Sequence, residues 1–86
     1  MFTPEFIDLS KNEYVLLANH NLENQDAINL SVQYNKARIA FGAKHLPPHM
    51  KSCRIIYDIR GQSISDLAIN EIILALAALC TVEFKR

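Results

Sequence analysis

The stretch from Cys53 to Lys85 limits the fold of this chain more than any other. Cys53, Ile55, Tyr57 and Ile59 alternate with Arg54, Ile56, Asp58 and Arg60, a two-residue period rich in β-formers that reads as a strand. Gly61 ends it. Ser63 or Ser65, with Asp66, offers a cap to a helix from about Asp66 to Leu79, apolar on nearly every side and therefore expected to be buried. Thr81-Val82-Glu83-Phe84-Lys85 alternates again and reads as a closing strand. Strand, helix and strand in that order predict a right-handed parallel β-α-β unit.

The N-terminal half reads as helical. Pro4 breaks any early helix, so Met1 to Leu9 is expected to be an extended arm. Ser10 followed by Glu13 fits a capping box opening a helix from about Lys11 to Asn19, and Asn19, Asn21 and Asn24 then make a loop. From Gln25 to Phe41, the residues Ala27, Leu30, Tyr34, Ala37 and Phe41 recur at spacings of three and four. They form a stripe expected to face the core, with Lys36 and Arg38 off it. Gly42 reads as the helix stop, and Pro47-Pro48 stiffens an exposed connection through His49 and Lys51. The expected fold class is α+β or α/β: two N-terminal helices followed by a β-α-β unit with a small sheet. A chain of 86 residues holds one core, so residues 1–86 are read as a single domain, its helical part about 10–42 and its β-α-β part about 53–86. Two strands make a poor sheet, so either the N-terminal arm adds another or the open edge pairs with a partner.

Formal net charge is zero, which gives no bulk reason to expect nucleic acid or a membrane surface. Its distribution is uneven. Up to Leu30, five acidic residues face Lys11 alone, a balance of −4; from Ser31 to Arg60, six basic residues face Asp58, a balance of +5. His45 and His49 fall within that basic middle. Cys53 and Cys80, both in apolar runs, suit core packing or a reducing compartment, and no disulfide is expected. The sequence shows no export signal and no membrane anchor; the most apolar run, Leu67 to Cys80, is short and holds Asn70 and Glu71.

Chemistry-bearing residues gather at the strand-to-helix corner Asp58-Ile59-Arg60-Gly61-Gln62. Ligands of sheets with parallel crossovers bind beyond the carboxyl ends of the strands, and a helix N-terminus there offers free N–H groups to a phosphate. Cleaving RNA requires a base for the 2′-hydroxyl, stabilisation of the phosphorane charge and an acid for the leaving oxygen. Asp58 or a histidine suits the base, Arg60 with Lys36 or Arg38 the phosphate, and His45 or His49 the acid. The catalytic candidates are Asp58, Arg60, Gln62 and His45; the substrate-binding candidates are Lys36, Arg38, His49 and Ser63. The structural alternative is an Asp58–Arg60 ion pair with a capping turn. A metal-dependent nuclease competes, because Asp58 and Glu83-Phe84-Lys85 echo the Asp…Glu-x-Lys pattern of restriction-type nucleases. That fold, however, places its two acidic elements on neighbouring strands joined directly, whereas a helix separates these. Neither the cysteines nor the histidines have zinc-ligand spacing; no metal and no cofactor is expected.

The run Lys44-His45-Leu46-Pro47-Pro48-His49-Met50 followed by Arg54-Ile55-Ile56-Tyr57-Asp58-Ile59-Arg60-Gly61-Gln62-Ser63-Ile64-Ser65 resembles the C-terminal toxin domains of contact-dependent growth-inhibition and related polymorphic toxins. The resemblance spans roughly Asn24 to Phe84, and its distinctive part is Asp-Ile-Arg-Gly-Gln. It implies a nuclease toxin directed at RNA, often transfer RNA, delivered by secretion or from the cell surface as part of a larger protein. Such a toxin acts in the target-cell cytoplasm and is neutralised by a cognate immunity protein. Residue by residue it supports Asp58, Arg60 and Gln62. The alternative is a non-enzymatic protein-binding module, such as an immunity or inhibitor protein, that binds through an exposed edge strand or its acidic N-terminal helix.

Overall fold

The computed structural model describes residues 6–8, 10–50 and 52–86. The expectations placed on Met1 to Glu5, Leu9 and Lys51 lie outside the described residues. In chain order the elements are β1 (Phe6–Asp8), β2 (Glu13–Ala18), α1 (Gln25–His45), β3 (Ser52–Asp58), α2 (Asp66–Leu76) and β4 (Thr81–Lys85). They build one four-stranded sheet in the order β1-β2-β3-β4, with β1 antiparallel to β2 and the other pairs parallel. Two β-α-β units therefore share β3. Tyr14, Leu16, Cys53, Ile55 and Tyr57 of the sheet form one core with Ile28 and Ile39 of α1 and Ile69, Ile72 and Leu76 of α2.

This overturns the expected arrangement of two N-terminal helices ahead of a β-α-β unit, because the first of those helices is strand β2. The Asp8 carboxylate accepts hydrogen bonds from the Ser10 N–H (3.0 Å) and hydroxyl (2.6 Å), and Asn12 takes a left-handed φ of 51°. Ser10 thus closes a hairpin turn of the kind Asp and Asn favour, and Glu13 reaches Arg54 instead of completing a capping box. Tyr14, Leu16 and Ala18 alternate into the core, while Val15, also buried, and the partly exposed Leu17 take the other face, the period of a strand. The β3-α2-β4 unit is parallel as expected, and β1 supplies the extra strand sought from the N-terminal arm.

On the face away from the helices, Arg54 ties three strands together. Its Nε donates to Glu13 Oε1 at 3.1 Å and a terminal nitrogen to Glu83 Oε1 at 2.6 Å. In register, Arg54 lies between Val15 and Thr81, and Ile56 between Leu17 and Glu83.

Helix α1 corrects two further expectations. It continues through Gly42 to His45, and the Leu46 N–H closes it on the Gly42 carbonyl at 2.9 Å. Its buried residues are Ile28, Ser31, Asn35, Ile39 and Gly42, not the apolar stripe, in which Leu30 and Tyr34 stand exposed. The helix is turned by the Tyr57 hydroxyl, which is fully buried and takes a hydrogen bond from Asn35 Nδ2 (2.8 Å) while pairing with Ser31 Oγ (3.0 Å). A buried hydroxyl costs stability unless it is bonded. Helix α2 is likewise not buried all round: Leu67 and Leu74 are 80% and 79% exposed. Ser65 is its N-cap, accepting from the Ala68 N–H. Cys53 is buried and Cys80 half-buried, both as free thiols.

The rotation of α1 is testable by urea unfolding. Asn35→Ala leaves the Tyr57 hydroxyl short of a donor and is expected to cost about 1–3 kcal/mol. Leu30→Ala, although it removes a larger apolar group, is expected to stay within about 0.5 kcal/mol. The reverse order would place the stripe in the core.

Candidate functional site at the carboxyl ends of the parallel strands

The corner after β3 is a tight turn. The Gln62 N–H donates to the Ile59 carbonyl at 3.0 Å, and Gly61 sits at φ 81°, the value a type II turn needs at its third residue and one that favours glycine. Arg60 folds back on Asp58. Its Nε donates to Oδ1 at 2.9 Å, a terminal nitrogen to Oδ2 at 2.7 Å and its backbone N–H to Oδ1 at 3.2 Å. These bonds from the Arg60 side chain and backbone hold the Asp58 carboxyl at about 2, below its ordinary 3.8. A carboxylate that weakly basic is a poor proton acceptor at neutral pH. The ion-pair alternative describes what the fold builds here.

Gln62 points elsewhere, to the loop after β2. Its Nε2 donates to the His20 carbonyl at 2.8 Å and its Oε1 accepts from the Leu22 N–H at 2.7 Å. The Ser63 N–H reaches Glu23 Oε1 at 3.5 Å. Gln62 therefore acts as a clamp between the two loops. Both nearby helix N-termini already have partners: Asn24 and Ser65 cap them, and Asp26 and Asp66 put carboxylates in their first turns.

The remaining candidates are not brought to this corner. Helix α1 leads from the carboxyl end of β2 to the amino end of β3, and 21 helical residues span about 30 Å. His45 thus ends α1 at the far end of the sheet, its ring 4.1 Å from that of Phe41, and His49 follows in the connection to β3. There Pro47, Pro48 and Met50 line a cavity of about 330 Å³ with Tyr14, Ala78 and Leu79. Lys36 lines the groove between the helices beside Glu71 and Ala75. Arg38 donates to the Leu17 carbonyl (3.0 Å) and to Asn35 Oδ1 (3.2 Å), with its guanidinium over the Tyr34 ring.

The histidine near the corner is His20, which no sequence motif marks and whose carbonyl accepts from Gln62. Its Nδ1 lies 2.6 Å from Ser31 Oγ, which extends a chain of hydrogen bonds that runs from Arg38 through Asn35, Tyr57 and Ser31. Arg38 donates to Asn35 Oδ1, so Asn35 offers its NH₂ to the Tyr57 hydroxyl. The Tyr57 hydroxyl also pairs with Ser31 Oγ, and Ser31 with His20 Nδ1. Burial, and then the charge of Arg38, lower the pKa of His20 below its ordinary 6.5. The spacing of Ile28, Ser31, Asn35 and Ile39 was the available signal, since two polar residues continue an apolar row. His20, Ala27, Leu30, Ser31 and Tyr34 line a shallow, largely apolar pocket of about 350 Å³.

A restriction-type pairing also occurs, at a different place. Asp8 and Glu13 stand directly opposite each other on β1 and β2, neighbouring strands joined by a turn. Two residues after Glu13, where that pattern has lysine, is the buried Val15, and Glu13 is bound to Arg54. Asp58 and Glu83-Phe84-Lys85 lie on adjacent strands, with Asp58 beside Lys85 in register, but α2 separates them in the chain. Among the described residues no group of three or more His, Cys, Asp or Glu side chains is placed to hold a metal ion, and no helix is long and apolar enough to cross a membrane. No protein-family model matches the chain, and neither the curated proteins nor the solved structures give a match.

The lowered pKa of His20 sets a pH dependence. Below its ordinary 6.5, the unfolded chain takes up a proton that the folded chain resists, so stability is fully present above that pH and falls as pH drops through it. Urea midpoints measured between about pH 5 and 8 are expected to show this decline in wild type and a flatter profile in His20→Gln. Equal slopes would assign the dependence to other groups.

Proposed function

We propose that this domain works by binding another protein, as a non-enzymatic module of the immunity or inhibitor kind. One observation carries the reading: the polar groups of the corner are engaged by the chain itself, while large apolar side chains stand in solvent. Asp58 is bound to Arg60, both ends of the Gln62 amide are used, and the helix ends are capped. Leu30, Tyr34, Leu67 and Leu74 are each more than half exposed. Clusters of exposed apolar side chains on a soluble surface mark association sites, and covering them removes apolar area from water at about 25 cal/mol per Å².

A second reading, an RNA-cleaving toxin domain of the polymorphic type with a cognate immunity protein, is favoured by Arg60. Its side chain is 59% exposed, and Asp58 fixes it through Nε and one terminal nitrogen. Lys85 is close enough to contribute to the low pKa of Asp58. An oriented arginine beside a lysine is a suitable phosphate contact. In this reading Asp58 positions Arg60 and is not the base.

Incubating the purified chain with transfer RNA, and expressing it inside bacteria, separates the two readings. Intact RNA at high protein concentration and unimpaired growth are expected. RNA cleavage that disappears in Arg60→Ala and persists in Leu67→Glu/Leu74→Glu would reject the binding module in favour of the nuclease.

A further inference from the structure

The apolar stripe of α1 faces away from both the core and α2, and its shape and charge match a second copy of itself. Ala27, Leu30, Tyr34 and Ala37 lie at spacings of three, four and three, the repeat by which helices pack lengthwise. The α2 side of the helix is a different one: Gln25 donates to Glu71 there at 2.9 Å, and Val32 and Lys36 line the groove. On the stripe, Leu30 is 66% and Tyr34 56% exposed, and Ala27 and Ala37 between them are small enough to admit another helix closely.

Charge selects the occupant and its direction. Asp26 and Lys44 are eighteen positions apart on α1, five turns at 100° per residue, so both sit on the same flank of the stripe, at opposite ends. Asp26 precedes Tyr34 by eight residues and Lys44 follows it by ten. Neither forms an ion pair within the described residues; the salt bridges there use Arg54, Arg60 and Arg86. When two identical helices lie antiparallel about a two-fold axis, each flank meets the same flank of the other helix with the ends exchanged. Asp26 then lies beside the partner's Lys44, and Lys44 beside the partner's Asp26. A parallel pair would set each flank against the partner's other flank at the same end, so that Asp26 and Lys44 would not meet.

We propose that α1 pairs antiparallel with α1 of a second copy, about a two-fold axis near Tyr34, with Leu30 and Tyr34 in the seam and Asp26–Lys44 contacts at each end. This rests on the same exposed apolar side chains as the binding-module reading and adds to it a contact between two copies of the chain. One helix per copy covers less than the roughly 800 Å² per partner of a standard stable interface, so the dimer dissociates on dilution.

Sedimentation equilibrium of the full chain over a range of concentrations tests this, with urea unfolding to verify that each variant is folded. Wild type is expected to move from monomer towards dimer, while Leu30→Glu stays monomeric. Asp26→Lys and Lys44→Asp are each expected to weaken association at least tenfold, and the double variant to recover to within threefold of wild type. A wild type that stays monomeric throughout, or a double variant as weak as the single ones, overturns the pairing. The transfer RNA assay keeps the two proposals apart: a monomer that leaves RNA intact rejects the self-pairing alone, and a dimer that cleaves RNA rejects the binding-module reading alone.

Discussion

The arrangement of this domain depends on the hydroxyl of Tyr57. It is buried at the centre of β3, where an unpaired hydroxyl would be costly, and its partners Ser31 and Asn35 both come from α1. Satisfying it fixes the rotation of a 21-residue helix. The row Ile28-Ser31-Asn35-Ile39 turns inward, and the more apolar row, one residue earlier at most positions, turns outward. The same chain of bonds reaches His20 and Arg38, so the loop after β2 and the outer flank of α1 are held by one polar network. Apolar burial alone would favour the opposite rotation. The opposite rotation would carry Ser31 and Asn35 out to water and leave the buried Tyr57 hydroxyl unpaired, and the observed rotation avoids that cost by leaving Leu30 and Tyr34 partly in water.

The corner after β3 follows a similar logic locally. Gly61 permits the turn, Asp58 holds Arg60 against it, and Gln62 crosses to the neighbouring loop. Loops at the carboxyl ends of parallel strands are common ligand sites because they leave backbone groups free. Here Gln62 meets a backbone N–H and a carbonyl of the facing loop, and the helix ends carry their own caps. The polar residue types that suggest a phosphate site are also those that close such loops on each other. Only the outward face of Arg60, with Lys85 nearby, keeps the character of an anion contact.

The sequence makes β3, Gly61, the Ser65 cap, the start of α2 and β4 legible, because alternation, a turn residue and a capping residue agree along one continuous stretch. It misleads at Glu13-Tyr14-Val15-Leu16-Leu17-Ala18. A short apolar run has no period that separates a strand from a buried helix, and the Ser10 and Glu13 spacing suited a capping box equally well. Their actual partners, Asp8 and Arg54, lie in other elements. For α1 the spacing of three and four identified a helix correctly and its inner face wrongly, since periodicity locates a stripe and does not state which side the sheet is on. The clustering of Asp58 with Arg60 was legible from their adjacency. That His45 and His49 lie at the other end of the sheet required the direction of α1, and hence the parallel pairing of β2 with β3.

The hairpin of β1 and β2 shows how little separates a structural from a catalytic use of the same residues. Paired carboxylates on adjoining strands repel each other unless positive charge lies close by, and a bound cation or a basic side chain can provide it. Here Arg54 provides it for Glu13 from the next strand and extends the bridge to Glu83, while Asp8 is held by its bonds to Ser10. The Glu13 and Arg54 side chains are only 10% and 24% exposed, so their attraction is less screened than that of a surface pair. With Val15 buried where a nuclease of that pattern has its lysine, the acidic hairpin is built to join β2, β3 and β4, and the groups left for recognition are the apolar ones on the helices.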